Sequence, residues 1–266
     1  MPVPAVMAGQ QSPRAAAPTL TVPSRFRGPA GSANGGYVCG RIAEYLDGPV
    51  TVTLRRPPPL DTPMTVESDG GDGLRLRHGS TLVAEAAQAH NSPTLRVPDT
   101  ASMAEARAAE GRAAYFQDPL YPDCFVCGTG RQPGDGLRVF AGPVPGRGLW
   151  AAPWTPDASL ANGSRRLRPE IVWAVLDCPS GIAAAEAVDL SENTAILLGR
   201  MTVLLAEVPA VGERYRVIAW PIAHDDRKLT AGSALLGPGD GVLAVAETVW
   251  LTVPRPAAGV AAKGTR

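Results

Sequence analysis

The chain has 266 residues, with Lys+Arg and Asp+Glu balanced at 25 each, 45% hydrophobic and 19% charged. That length suits one large domain or two small ones, and that composition excludes a disordered chain. A neutral chain with few aromatic residues also argues against a nucleic-acid binder, which needs a basic face with stacking rings.

The N-terminal residues 1–18 are rich in Pro, Ala and Gln and read as a disordered tail, as do residues 256–266. Pro2, Pro4, Gly9, Gln10 and Gln11 interrupt any secretory apolar run after Met1. The longest apolar run, 195–211, is broken by Arg200 and Glu207, too short for a membrane span. The expectation is a soluble, cytoplasmic protein without membrane or nucleic-acid partners. Its four cysteines, Cys39, Cys124, Cys127 and Cys178, are then reduced.

After the tail, residues 20–26 read as a short strand. Asn34 is a good N-cap for a helix over 37–46, which Gly48-Pro49 ends. Val50, Val52 and Leu54 alternate with Thr51, Thr53 and Arg55, and further strands are expected at 64–67, 74–77 and 81–89. Residues 100–117 have helix-forming composition and read as a linker. Strands are expected at 137–140 and 148–154, then a helix opening near Pro169, a residue suited to the first helical position. Strands follow at 195–205, 214–220, 228–236 and 242–253.

The two passages repeat one order: strand, helix, then several strands. Local wording repeats with it. Leu82-Val83-Ala84-Glu85-Ala86 parallels Ala244-Val245-Ala246-Glu247-Thr248, and Pro59-Leu60-Asp61-Thr62-Pro63 parallels Pro209-Ala210-Val211-Gly212-Glu213. A curled antiparallel sheet around one helix explains the order. Val172, Trp173, Val175, Leu176, Ile182 and the alanines at 183–185 supply a helix apolar nearly all round.

Two motifs carry a family resemblance. Asn34-Gly35-Gly36-Tyr37-Val38-Cys39-Gly40-Arg41 is similar to the His-Gly-Gly helix opening of the acyl-CoA thioesterase II family, itself a double hotdog, with Asn in place of His. Cys124-Phe125-Val126-Cys127-Gly128, followed by Gly136-Leu137-Arg138-Val139-Phe140, resembles the start of phenylacetyl-CoA thioesterase-like domains. In those domains an acidic residue stands nine positions after a His that opens the helix. Here Arg168-Pro169-Glu170 occupies the opening, and Asp177 stands nine after Arg168. The thioesterase II family also uses a Thr and a Gln from its second half; those positions align with Leu198 and Trp250.

The resemblance implies an α+β tandem double hotdog of two antiparallel sheets, each wrapped around a central helix. The first subdomain would span 19–99, the linker 100–122 and the second subdomain 123–255. Because a single hotdog leaves an exposed edge, the two sheets are expected to join edge to edge. The implied activity is hydrolysis of an acyl-CoA thioester, with Asp177, Asn34 and Gly36 as catalytic residues. Gly35, Tyr37, Arg168 and Glu170 would bind substrate, without cofactor. The resemblance also allows a homo-oligomer of double hotdogs. The alternative is a non-catalytic binder of acyl-CoA or acyl chains. A hotdog hydratase is disfavoured because His78, His90 and His224 fall in expected strands or loops.

The chemistry supports those roles. A helix N-terminus offers free N–H groups and a positive dipole end to a developing oxyanion, and glycines let a carbonyl approach. A carboxylate at 177 inside an apolar helix asks for a reason. Glu170, in a first turn, is more simply explained by the helix dipole. One helix end and a carboxylate two turns on are roughly 10–13 Å apart, so a single helix cannot hold both at one thioester. Antiparallel packing of the two helices would bring the Asn34/Gly35/Gly36 end against Asp177, leaving a dead mirror site at Pro169/Glu170 and Ala43. In that arrangement the Gly36 or Tyr37 amide would hold the thioester oxygen, Asp177 would act on the carbonyl or a water, and a pocket would lie between them. Arg55-Arg56 and Arg165-Arg166-Arg168 are candidates for the CoA phosphates.

Cys124 and Cys127 have the spacing of half a zinc site, which needs two further ligands. Cys39 and Cys178 lie singly in expected helices, so the pair reads as packing at a turn, with no metal. Gly128-Thr129-Gly130-Arg131 lacks the Gly-Lys-Ser/Thr of a P-loop, and Ser180-Gly181 lacks a nucleophile elbow.

Overall fold

The structure is a computed structural model that describes residues 17–89, 96–188 and 190–256. The two expected tails and His90 fall wholly or mostly outside the described residues. Eleven strands form one sheet, in the order β1-β3-β4-β5-β2-β8-β11-β10-β9-β7-β6, and every strand pair is antiparallel.

In chain order the first elements are β1 (Thr19–Leu20), α1 (Gly35–Ala43), β2 (Val50–Leu54), β3 (Met64–Ser68), β4 (Leu74–His78) and β5 (Thr81–Gln88). Then come α2 (Met103–Ala109), β6 (Gly142–Val144), β7 (Leu149–Trp154) and α3 (Pro169–Glu186). β8 (Thr194–Leu205), β9 (Tyr215–Asp225), β10 (Lys228–Leu236) and β11 (Val242–Pro254) complete the set.

The internal repeat is visible in the strand order. Counting outward from the β2–β8 junction, one side runs β2, β5, β4, β3 and the other β8, β11, β10, β9. In each half the first strand after the helix lies at the centre and the last lies beside it. The sequence parallels fall on corresponding strands: residues 82–86 on β5 and 244–248 on β11, with 59–63 before β3 and 209–213 before β9. The sheets of the two halves join edge to edge, as expected, through the β2–β8 pairing, whose register sets Val52 opposite Met201. Pairing these central edges satisfies N–H and C=O groups that would otherwise be exposed.

The halves differ in size. Strands β8–β11 run 9–13 residues where β2–β5 run 5–8, and α3 has 18 residues to the 9 of α1. As its composition demands, α3 is buried on nearly every side: Ile171, Val172, Ala174, Val175, Leu176 and Ala183 have no exposed surface. It packs on β9, β10, β11 and α1. Pro179 lies inside it without ending it. α2 starts with a capping box, in which Ser102 accepts from the Glu105 amide and Glu105 accepts from the Ser102 amide.

Three expectations need correction. The strand at 20–26 is only Thr19–Leu20, because Pro23 cannot donate to a ladder and Ser24–Phe26 turns as a 3-10 helix. The strand at 137–140 is absent: Arg138 has φ 54, a left-handed conformation that breaks an extended run despite its apolar alternation. The first helix ends at Ala43, three residues early.

Candidate active site at the helix crossing

α1 and α3 cross antiparallel through small residues. A Cβ on Gly36 would lie 2.6 Å from Asp177 Cβ and 2.8 Å from the Trp173 carbonyl oxygen. One turn on, a Cβ on Gly40 would lie 2.5 Å from Glu170 Cα. As the numbering rises along α1 it falls along α3, so the N-terminal end of α1 meets the middle of α3. Only glycine permits helices this close.

Asn34 caps α1 as its sequence position requires: its side-chain oxygen accepts from the Tyr37 amide at 2.9 Å. That bond fixes the amide plane and turns Nδ2 toward α3, where it donates to Asp177 Oδ2 at 2.8 Å. The Gly36 amide donates to the same oxygen at 2.9 Å. The Asp177–Gly36 separation is therefore a direct hydrogen bond, with one partner from each half of the chain. Asp177 Oδ1 is buried and has no hydrogen-bond partner among the described residues. Burial pushes the Asp177 carboxyl up to about 7, against the pull of the Gly36 and Asn34 hydrogen bonds.

Leu198 and Trp250 stand near this crossing, beside the buried hydroxyls of Ser180 and Thr248. Leu198 and Trp250 are cross-strand partners on β8 and β11. Leu198 closes on Gly35, where an added Cβ would lie 2.9 Å from its Cδ2. The Trp250 indole covers Gly181 and donates to Ser180 Oγ at 3.0 Å. Ser180 Oγ in turn donates to the Asp177 carbonyl at 2.6 Å, engaging a carbonyl in the turn that Pro179 disturbs.

The structure brings Asn34, Gly35, Gly36 and Asp177 together and leaves other expected residues apart. The Gly36 and Tyr37 amides, expected to be free, are taken by Asp177 and Asn34. Gly35, partly exposed at the first helical position, has no partner for its N–H in the hydrogen-bond network of the described residues. The Tyr37 side chain is 1% exposed and stacked on Phe26 at 4.0 Å, so it belongs to the core. Arg168 and Glu170 lie at the opposite end of the crossing. Arg168 is 3.5 Å from Glu170 and sits over the Phe26 ring, while Glu170 faces Gly40 and Glu44. Glu44, which α1 carries toward it, is pushed up to about 7 by burial and by Glu170, against Arg41. Arg55 pairs with Glu85 on the sheet surface.

No pocket separates Asp177 from Gly36: both are buried and in contact. Two surface clefts lie elsewhere, one of about 530 Å³ beside Arg214, Arg216 and Asp240, the other of about 550 Å³ beside Arg138, Trp154 and Leu160. A feature the sequence did not disclose adjoins the carboxylate. Cys178 turns toward Cys124 and Cys127, so the three sulfurs lie within 4.8 Å of one another. Fifty residues separate Cys127 from the third cysteine, so local spacing gave no signal.

No protein-family model matches the chain, and no curated protein matches it by sequence. Solved structures do match in fold. The acyl-CoA thioesterase II TesB2 of Mycobacterium marinum aligns with 90% of this chain and 93% of its own, at 12% identity and TM-score 0.57. The tesB protein of Mycobacterium avium subspecies paratuberculosis aligns with 89% of this chain and 92% of its own, at 11% identity and TM-score 0.54. A conserved protein with a hot dog fold from Alicyclobacillus acidocaldarius aligns with 88% and 92%, at 11% identity and TM-score 0.53. No helix among the described residues is long and apolar enough to cross a membrane. This chain has the double hotdog, thioesterase-like fold.

Proposed function

We propose that the chain hydrolyses an acyl-CoA thioester, with Asp177 as the reacting carboxylate. The observation that carries this reading is the state of that carboxylate. Oδ2 is anchored by one amide from a helix end and one from Asn34, while Oδ1 is buried and unpartnered. A buried lone pair left without a donor costs stability, and such strain is retained where it serves chemistry. In the reaction Oδ1 either attacks the acyl carbon, forming an anhydride that water then hydrolyses, or takes a proton from a water that attacks the acyl carbon; in both the C–S bond breaks and the CoA thiolate leaves. The Gly35 N–H, at the positive end of α1, receives the carbonyl oxygen as its charge develops. Asn34 keeps the carboxylate in register. The substrate enters by parting Leu198 from Gly35, because the far end of a leucine side chain is easily moved. The proposed place of action is the cytoplasm, and the similarly folded proteins described as acyl-CoA thioesterase II and tesB support the substrate class.

One observation favours a second reading. Leu198 and Trp250 offer no hydroxyl or amide to hold an attacking water, as expected of a chain that binds acyl groups without cleaving them. The two are separated by incubating the protein with acyl-CoAs of short, long and aromatic acyl groups. Loss of thioester absorbance over many turnovers supports hydrolysis. Saturable binding without thioester loss supports the binding module and overturns hydrolysis.

A further inference from the structure

We propose that Cys124, Cys127 and Cys178 form a binding site for a thiophilic divalent cation, zinc by its coordination preference, with three cysteine ligands and a fourth position that no metal-ligating side chain of the described residues fills. The inference stands apart from the hydrolytic reading and is tested separately from it.

The spacing is the first argument. Zinc–sulfur bonds of about 2.3 Å in a tetrahedron place sulfurs about 3.8 Å apart. Here Cys124 and Cys178 Sγ are 3.6 Å apart, and the third sulfur is within 4.8 Å of both. All three are free thiols. The ligands come from two rigid elements, a tight turn and the middle of α3, so the site is largely preformed.

The turn is the second argument. Gly128 N–H donates to the Cys124 carbonyl at 2.9 Å, closing a loop around the two cysteines. A Cβ on Gly128 would overlap that carbonyl oxygen and crowd the Pro122 oxygen at 2.6 Å, so the turn depends on glycine.

The periphery is the third argument. Asn34 Nδ2 lies 3.9 Å from Cys178 Sγ, and the Tyr115 hydroxyl lies 3.8 Å from Cys127 Sγ. Outer polar groups of this kind orient metal ligands. No fourth Cys, His, Asp or Glu atom joins the cluster among the described residues, so the fourth position is left to water or a small ligand. Because Asn34 also donates to Asp177, metal binding would tie the turn at Cys124–Gly128, α1 and α3 at one point.

The test uses the full chain, purified under reducing conditions and analysed for metal, then stripped and reconstituted with Co²⁺. The expected result is about one zinc per chain, with thiolate-to-cobalt charge-transfer bands and d–d bands of tetrahedral strength after exchange. Cys178→Ser should lower retained zinc at least about tenfold, whereas Cys39→Ala, outside the cluster, should keep it. The cobalt spectrum of the unaltered chain decides the matter even if a variant fails to fold. Reduced protein that takes up neither ion, or a Cys124–Cys178 disulfide trapped by alkylation at lysis, would overturn the site.

Discussion

The helix crossing makes a quantitative prediction at Gly36. In Gly36→Ala the added methyl would stand 2.6 Å from Asp177 Cβ, 2.8 Å from the Trp173 oxygen and 3.1 Å from Asp177 Cγ. Ordinary carbon contacts are about 3.5–4.0 Å, so α1 and α3 must part by roughly 1 Å. Overpacking of this kind costs about 1–3 kcal/mol. Parting the helices also stretches the 2.9 Å bond from the Gly36 amide to a carboxylate, and a hydrogen bond to a charged group is worth about 1.5–3 kcal/mol. Alanine's better helix propensity returns up to about 1 kcal/mol. The net loss is about 2–5 kcal/mol. Urea unfolding followed by tryptophan fluorescence reads it as a lower midpoint with unchanged slope. Gly35→Ala is the control. Its methyl's three nearest atoms are the ends of Leu198 and Leu54 and the Leu198 Cβ, side chains that can shift, so it should cost about 1 kcal/mol. A Gly36→Ala protein as stable as the parent would refute the close crossing.

Three further outcomes follow. Asn34→Ala removes the α1 cap and one donor to Asp177, and should lose about 2–4 kcal/mol in the same urea assay. Trp250→Phe keeps the ring over Gly181 but loses the indole bond to Ser180, and should cost about 1 kcal/mol. Glu44 has a folded pKa raised from 4.5 to about 7, chiefly by burial. A raised carboxyl contributes stability that is present below about pH 4.5 and lost as pH rises through about 7. Arg41, Tyr37, Arg168 and Glu170 face this region. Glu44→Gln should lessen the slope of the stability profile between those pH values, leaving the share of Asp177, whose carboxyl is likewise raised to about 7; an unaltered slope would show that Glu44 contributes none of it.

Most of the fold was legible because two devices leave strong sequence marks. Strand-forming runs gave β2–β5, β8, β10 and β11 nearly to their ends and β9 only as far as Trp220 of a strand that continues to Asp225, and the all-round apolar run gave α3. The repeated phrases at 82–86 and 244–248 mark equivalent strands because both line the same position beside the central pair. Legibility failed where one backbone angle overrides side-chain pattern, as at Arg138, and where β6, only three residues long, carries no periodicity. At the site, Asn34, Gly36 and Asp177 were legible as a motif, but the occupation of the Gly36 and Tyr37 amides was not. Which acceptor an amide meets depends on the angle and closeness of two helices, and no residue spacing encodes that. Cys178 was lost for the same reason: its partners lie across the fold.

The central claim is that the Asp177 carboxylate, held by Gly36 and Asn34, does the hydrolytic work. Asp177→Asn tests it most directly, because asparagine matches the shape, can still accept from the Gly36 amide, and removes a buried charge without leaving a cavity. Its turnover with the best acyl-CoA of the panel should be compared with the parent's, both proteins having matching circular dichroism. The account predicts a folded protein whose kcat falls at least about a hundredfold. A folded Asp177→Asn protein that hydrolyses thioester at the parental rate would contradict it.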